Sequence, residues 1–134
     1  MSTDLNYLLA STVLCWFQLL GASLWIARAW TPHGLAVAFG NRAALQEPSP
    51  SAARAGRAAR NMAENLPLFI AVLFVARTAG APAASLALGS AIFFWARVVH
   101  AGLYIAGVPY LRTAAWFTSL GGLVLIGLQA LHAG

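Results

Sequence analysis

The sequence predicts an all-α integral membrane protein, a single domain built as an antiparallel four-helix bundle. Three observations predict it. Hydrophobic residues make up 60% of the 134 and charged residues only 8%, too few charges to solvate a globular surface of that size. Uncharged runs of 23, 19 and 22 residues span Leu5–Ala27, Thr78–Ala96 and Thr113–Gly134, and roughly 20 apolar residues in a helix cross a hydrocarbon core of about 30 Å. Tight Gly/Pro breaks separate the later runs, so neighbouring spans turn back on one another. A chain of this length is expected to be one domain.

The first span covers about 5–30. Gly21, Ala22 and Ser23 offer a small patch for close helix approach, Trp25 and Trp30 suit an interfacial belt, and Arg28 ends the span. Cys15, the only cysteine, excludes an internal disulfide and reads as a small apolar packing residue. The N-terminus does not read as a secretory signal: Asp4 stands in place of a basic region, the apolar run is long, and no Ala-x-Ala site follows. Next comes a polar connection, 31–50, rich in the breakers Pro32, Gly34, Gly40, Asn41, Pro48 and Pro50, with Arg42 and Glu47 as its only charges. His33 reads there as a solvated loop residue.

The second span covers about 51–79, started by Ser49-Pro50 or Ser51 as cap or first turn. At 1.5 Å per residue it is roughly 43 Å long, so its first turns project beyond the hydrocarbon and Arg54 reads as solvated or facing headgroups. Pro67 is expected to kink it. Gly80-Ala81-Pro82 leads into the third span, about 83–106. Gly107-Val108-Pro109 leads into the fourth, about 110–132, where Gly121, Gly122 and Gly127 suggest close packing. The net charge of +5 comes from eight Arg and no Lys. Arg28, Arg42, Arg54, Arg57, Arg60 and Arg112 gather on the side of the first and third connections, against Arg77 alone on the other. That side is therefore expected to be cytoplasmic, with both termini outside. A pI near 10.8 ordinarily suggests nucleic acid, but arginines that flank spans argue against such a partner. The absence of Lys leaves two readings open: a GC-rich coding bias, or a use for the planar guanidinium fork.

The second span carries a polar stripe. Arg57, Arg60, Asn61 and Glu64 fall at i, i+3, i+4 and i+7, one face of a helix. On the third span Arg97, His100 and Tyr104 share a face. Counting rise per residue sets Arg97 and Glu64 both about 9–10 Å inside the inner boundary, so the two polar faces are expected to meet. Arg112 and Thr113 open the fourth span at the same edge. Charged groups at membrane depth are costly and mark a functional site by default. An excess of guanidinium forks with one carboxylate, an amide and hydroxyls suits a small zwitterion carrying more than one carboxylate, while lipid admits an apolar second substrate sideways. His100 and Glu64 alone do not make a metal set, so no metal site is expected. Structural readings stand beside these. Arg60–Glu64 at i, i+4 reads also as a helix salt bridge and Glu64–Arg97 as glue between helices. His100 reads also as a packing residue, Tyr104 as an aromatic-belt residue and Arg112 as a positive-inside anchor.

The motifs Arg57-x-x-Arg60-Asn61-x-x-Glu64-x-x-Pro67 and Arg97-x-x-His100-x-x-x-Tyr104, followed by Pro109 and Arg112-Thr113, resemble those of the MAPEG family, the membrane-associated proteins of eicosanoid and glutathione metabolism. The resemblance is to a bacterial-type member and covers all four spans. It implies a homotrimer in a bacterial inner membrane with glutathione, as co-substrate, held between subunits on the cytosolic side. By the same resemblance Arg57, Asn61, Glu64, His100 and Tyr104 would hold the tripeptide, with Arg60 and Arg97 as a supporting ionic layer. Arg112 falls at the arginine position that stabilises the thiolate, with Tyr104 or Thr113 donating to sulfur. Where prostaglandin E synthase-like members have a tyrosine one turn on, this chain has Trp116. The implied activity is a glutathione transferase or peroxidase acting on a lipophilic electrophile. The alternatives are a non-catalytic lipid- or ligand-binding scaffold of the same fold and, from Glu64 and His100, a proton-relay transporter.

Overall fold

Pro50 opens the longest of five helices in the computed structural model, which describes residues 1–41 and 45–133. The helices are α1 (Thr3–Ala27), α2 (Pro32–Phe39), α3 (Pro50–Thr78), α4 (Ala83–Ala106) and α5 (Pro109–Ala133). All but α2 are long and apolar enough to cross a membrane. Ser49 starts α3: its hydroxyl accepts the Ala52 N–H at 3.3 Å, and Pro50 fills the first helical position, where no N–H is needed. The helix assignment runs through Pro67 without a break.

Two features of the first connection differ from expectation. α1 stops at Ala27, three residues short of Trp30, because Arg28 takes a left-handed backbone (φ 54) and the Ala29 N–H turns back to the Leu24 carbonyl at 3.0 Å. The stretch after it, expected as an irregular connection, holds α2. The breakers there are start signals: the Thr31 hydroxyl accepts the Gly34 N–H at 2.9 Å and Pro32 occupies the first turn, a helix N-terminus by residue chemistry. Gly34 is required, since any Cβ there would collide with the Ala27 and Arg28 carbonyl oxygens. Arg42, counted above among the connection's charges, lies outside the described residues.

The core lies among the four long helices. Met62, Leu66, Phe69 and Leu73 of α3 meet Leu86 and Phe93 of α4, Leu123 and Ile126 of α5, and Cys15 of α1. The Phe69 and Phe93 rings sit 4.3 Å apart between centroids. A second cluster is made of small residues, Ala22, Ala55 and Ala59, covered by Trp25 and Ile105. Outside, large apolar side chains such as Trp16, Phe17, Phe74, Trp95 and Phe117 are exposed, the arrangement a hydrocarbon solvent favours. At the far end of α3 the Arg77 guanidinium donates to the carboxylate of Asp4, which is almost fully buried, and to the Ser2 hydroxyl. Asp4 thus joins the start of α1 to the end of α3, a role its sequence position did not suggest.

α4 and α5 come close at two glycines. A Cβ on Gly122 would stand 2.6 Å from the Gly89 carbonyl oxygen and 3.0 Å from the Phe93 nitrogen, and one on Gly89 would stand 2.9 Å from the Gly122 oxygen. Gly121, on the outer side, has nothing within 4 Å. Gly122→Val should therefore cost about 1–3 kcal/mol through overpacking, read as a lower melting temperature in detergent, whereas Gly121→Ala should leave the melt unchanged or slightly raised.

Candidate binding site

Arg97 is 1% exposed and lies on the inward face of α4 with Phe93 and His100. Its Nη2 donates to Asn61 Oδ1 at 2.8 Å and its Nε to the Met62 sulfur at 3.3 Å. Its Nη1 is buried with no partner. A guanidinium held by one amide oxygen and one weak thioether acceptor is under-compensated, and several kcal/mol of desolvation stand against it. α3 contributes Asn61 and Met62 to this contact because both turn toward α4. Asn65, one turn on and buried, donates its own amide to the Asn61 carbonyl at 2.8 Å.

One turn along α4 from Arg97, His100 is 3% exposed and meets the Tyr104 ring edge-to-face at 5.4 Å. The Arg112 guanidinium lies over the other side of the turn, its Cζ 4.4 Å from the Tyr104 ring centroid. Such a cation–π contact contributes about 0.5–2 kcal/mol. His100 lies within electrostatic reach of both Arg97 and Arg112. The fold therefore gathers Asn61, Arg97, His100, Tyr104 and Arg112 from α3, α4 and α5.

The remaining candidates do not join this cluster within the chain. Arg57, Arg60 and Glu64 are exposed along α3. Arg60 borders a cleft of about 420 Å³ between α1 and α3, walled by Leu19, Ala22, Ser23 and Gly56. The expected Glu64–Arg97 and Arg60–Glu64 ion pairs are not formed; among the described residues the ion pair is Asp4–Arg77. The geometry explains why. Glu64 follows Met62 by two residues, about 200° around the helix, so the turn that aims Met62 at Arg97 aims Glu64 outward. Thr113 is exposed and its hydroxyl donates to the Pro109 carbonyl at 3.0 Å.

Sequence reading missed the roles of Met62 and Arg54, and the structure adds a detail at Trp116. Nothing in the sequence marks Met62 as the second acceptor for Arg97. The Trp116 indole N–H, one turn after Arg112, is buried without a partner. Arg54 is not a solvated or headgroup-facing charge: its Nε donates to the Ile105 carbonyl at 2.8 Å and its Nη2 to Ser51 at 3.1 Å. An arginine one turn into a helix gave no hint of a partner 51 residues away.

Four membrane-length helices, with a buried arginine and a His–Tyr–Arg stack near the α4–α5 turn, define an integral membrane helical protein with a polar layer at one end. The sequence matches the MAPEG family over residues 8–132, and the chain belongs to that family. No curated protein matches it.

The Arg97 contact makes a signed prediction. Asn61→Ala should lower stability by about 1.5–3 kcal/mol, because it strips the guanidinium of its only strong acceptor. Adding Arg97→Met to that variant should recover most of the loss, because the unpaired charge goes with it. Thermal unfolding in detergent reads both, and a double variant less stable than Asn61→Ala alone would contradict the assignment.

Proposed function

We propose that the protein is a glutathione-dependent transferase or peroxidase acting on lipophilic electrophiles, working as a homotrimer of antiparallel four-helix bundles in a bacterial inner membrane. The observation that carries the reading is the exposed charged face of α3. Among the described residues Arg57, Arg60 and Glu64 have no ion-pair partner, and Glu64 stands at the middle of a membrane-length helix. Charged groups at that depth call for cover. A neighbouring subunit together with a zwitterionic ligand would supply it: Arg57 and Arg60 fit carboxylates, Glu64 fits an ammonium, and Asn61, whose oxygen serves Arg97, keeps its amide N–H for the ligand.

Arg112 and Tyr104 carry the chemistry in this reading. A free thiol has a pKa near 8.5, lowered by cationic neighbours. Arg112, stacked on Tyr104 and half-buried, would stabilise the thiolate at neutral pH. The sulfur lone pair then attacks an electrophilic carbon, and the leaving group departs with its electron pair. With a hydroperoxide, attack cleaves the O–O bond to give an alcohol and an oxidised sulfur that a second thiol resolves as a disulfide. Tyr104 donates to the sulfur, and Thr113 does so if its hydroxyl leaves Pro109. His100 and Arg97 hold the layer together. The arginine-bearing end faces the cytoplasm, where the soluble thiol resides, while the electrophile arrives through the lipid.

Calorimetry in detergent with glutathione, followed by turnover of a chlorinated aromatic electrophile, tests the reading. Arg112→Ala should cut the thiolate absorbance of bound glutathione and the conjugation rate at pH 7 by about tenfold, a loss of ~1.4 kcal/mol of transition-state stabilisation. The rate–pH profile should move to higher pH, since removing the cation lets the thiol pKa rise toward its free value. Glutathione binding without turnover would favour the scaffold instead, and no binding would remove both glutathione readings.

A further inference from the structure

We infer that Arg54 is a positioning residue for the Tyr104–Arg112 pair, acting through the backbone of the α4–α5 turn; the inference rests on the function proposed above. The last turn of α4 leaves its final carbonyls without helical partners. The Gly107 and Val108 N–H groups turn back to Tyr104 and Leu103 at 3.1 and 3.0 Å, with Gly107 in the left-handed region (φ 81). The Ile105 carbonyl is different. Its helical partner would be the N–H of residue 109, and residue 109 is proline, which has none. Arg54 fills that gap from the first turns of α3, with its Nε 2.8 Å from the Ile105 oxygen. Ser51 fixes the guanidinium from behind at 3.1 Å.

The same guanidinium packs on the turn from outside. A Cβ placed on Gly107 would meet Arg54 Cζ and Nε at 3.4 Å. A cation at a helix C-terminus is favourable with respect to the backbone dipole, and this one makes a single bond to the Ile105 carbonyl while Ser51 of its own helix holds its other edge, so it sets direction as well as charge. Tyr104 immediately precedes the clamped carbonyl, and Arg112 lies in the first turn after Pro109. Their 4.4 Å stacking spans the turn that Arg54 holds. Arg54 also sits one turn before Arg57 on α3, so a single side chain sets the spacing between the α3 ligand face and the Arg112 guanidinium. It touches neither ligand nor sulfur; its effect reaches the thiolate through where Arg112 stands.

The experiment compares full-length wild type, Arg54→Lys and Gly107→Ala in detergent. Lysine keeps the charge but cannot reach Ile105 and Ser51 in the same fork. Gly107→Ala strains the left-handed turn (φ 81) that the clamp holds, without touching a charge. Both should bind glutathione within about threefold of wild type, a change under ~0.7 kcal/mol. Both should lose about fivefold or more in conjugation rate at pH 7, ~1 kcal/mol, with the rate–pH profile displaced upward as for a weakened cation. An unchanged pH profile in Arg54→Lys would overturn the inference. So would loss of binding and rate in proportion to a lowered melting temperature, the mark of a purely structural cap. Failure of wild type to bind glutathione would defeat the proposed function and this inference together, whereas binding with an unmoved profile would defeat this inference alone.

Discussion

The structure depends on how one buried guanidinium is satisfied. Arg97 cannot lie in an apolar bundle unless its donors find acceptors, and the acceptors within reach are Asn61 and Met62 of α3. That requirement fixes the register of α3 against α4 more tightly than apolar packing does, because the Phe69–Phe93 contact would tolerate small slides that a 2.8 Å hydrogen bond does not. Once the register is set, the rest follows by helical geometry. Met62 turned inward means Glu64 turned outward. Arg97 turned inward carries His100 inward one turn later and sets Tyr104 at the edge, where Arg112 meets it.

A second constraint acts at the helix ends. Backbone groups left over at helix termini must be paired. Thr31 and Ser49 meet it with hydroxyl caps, Gly107 with a left-handed turn and Arg54 with a borrowed side chain. The two ends of the bundle use charge differently. At the Asp4–Arg77 end a cation is matched to a buried carboxylate. At the other end Arg57, Arg60 and Arg112 form no ion pair among the described residues. One end is closed electrostatically, and the other is open to an anion.

Much of this was legible in the sequence, for physical reasons. Three long uncharged runs read as membrane-length helices, and the polar stripe continuing into Leu66–Ala76 read as the fourth, so the spans and the residues at i, i+3 and i+4 on them could be read directly. Gly122 as a packing residue was readable too, though Gly121 beside it was not separable by composition. What escaped involved direction and distant partners. Periodicity puts Asn61 and Glu64 on one broad face, but it cannot say that the face straddles the bundle edge, so that Asn61 reaches Arg97 while Glu64 does not. Thr31-Pro32 has the chemistry of a helix start, yet the glycines around it masked α2 as an irregular connection. Arg54, Met62 and Asp4 take their roles from residues far away in the chain, which no local pattern encodes.

The open end raises a question of scale that bears on what the stable unit is. An i, i+4 pair between Arg60 and Glu64 would gain about 0.2–0.5 kcal/mol on an isolated helix, and the chain does not form it. A charged side chain in a membrane helix costs about 2.5–3.5 kcal/mol at the centre, and Glu64, about 9–10 Å inside the boundary by rise per residue, bears much of that. The cost exceeds the local remedy several-fold, so a self-contained monomer gains little by pairing these residues on its own surface. It gains far more if the face is covered by something carrying complementary charge. A fold under selection for monomer stability alone would replace Glu64 with leucine, as it does at the exposed Leu68 one turn on. The acid therefore stands where leucine would serve the isolated bundle better.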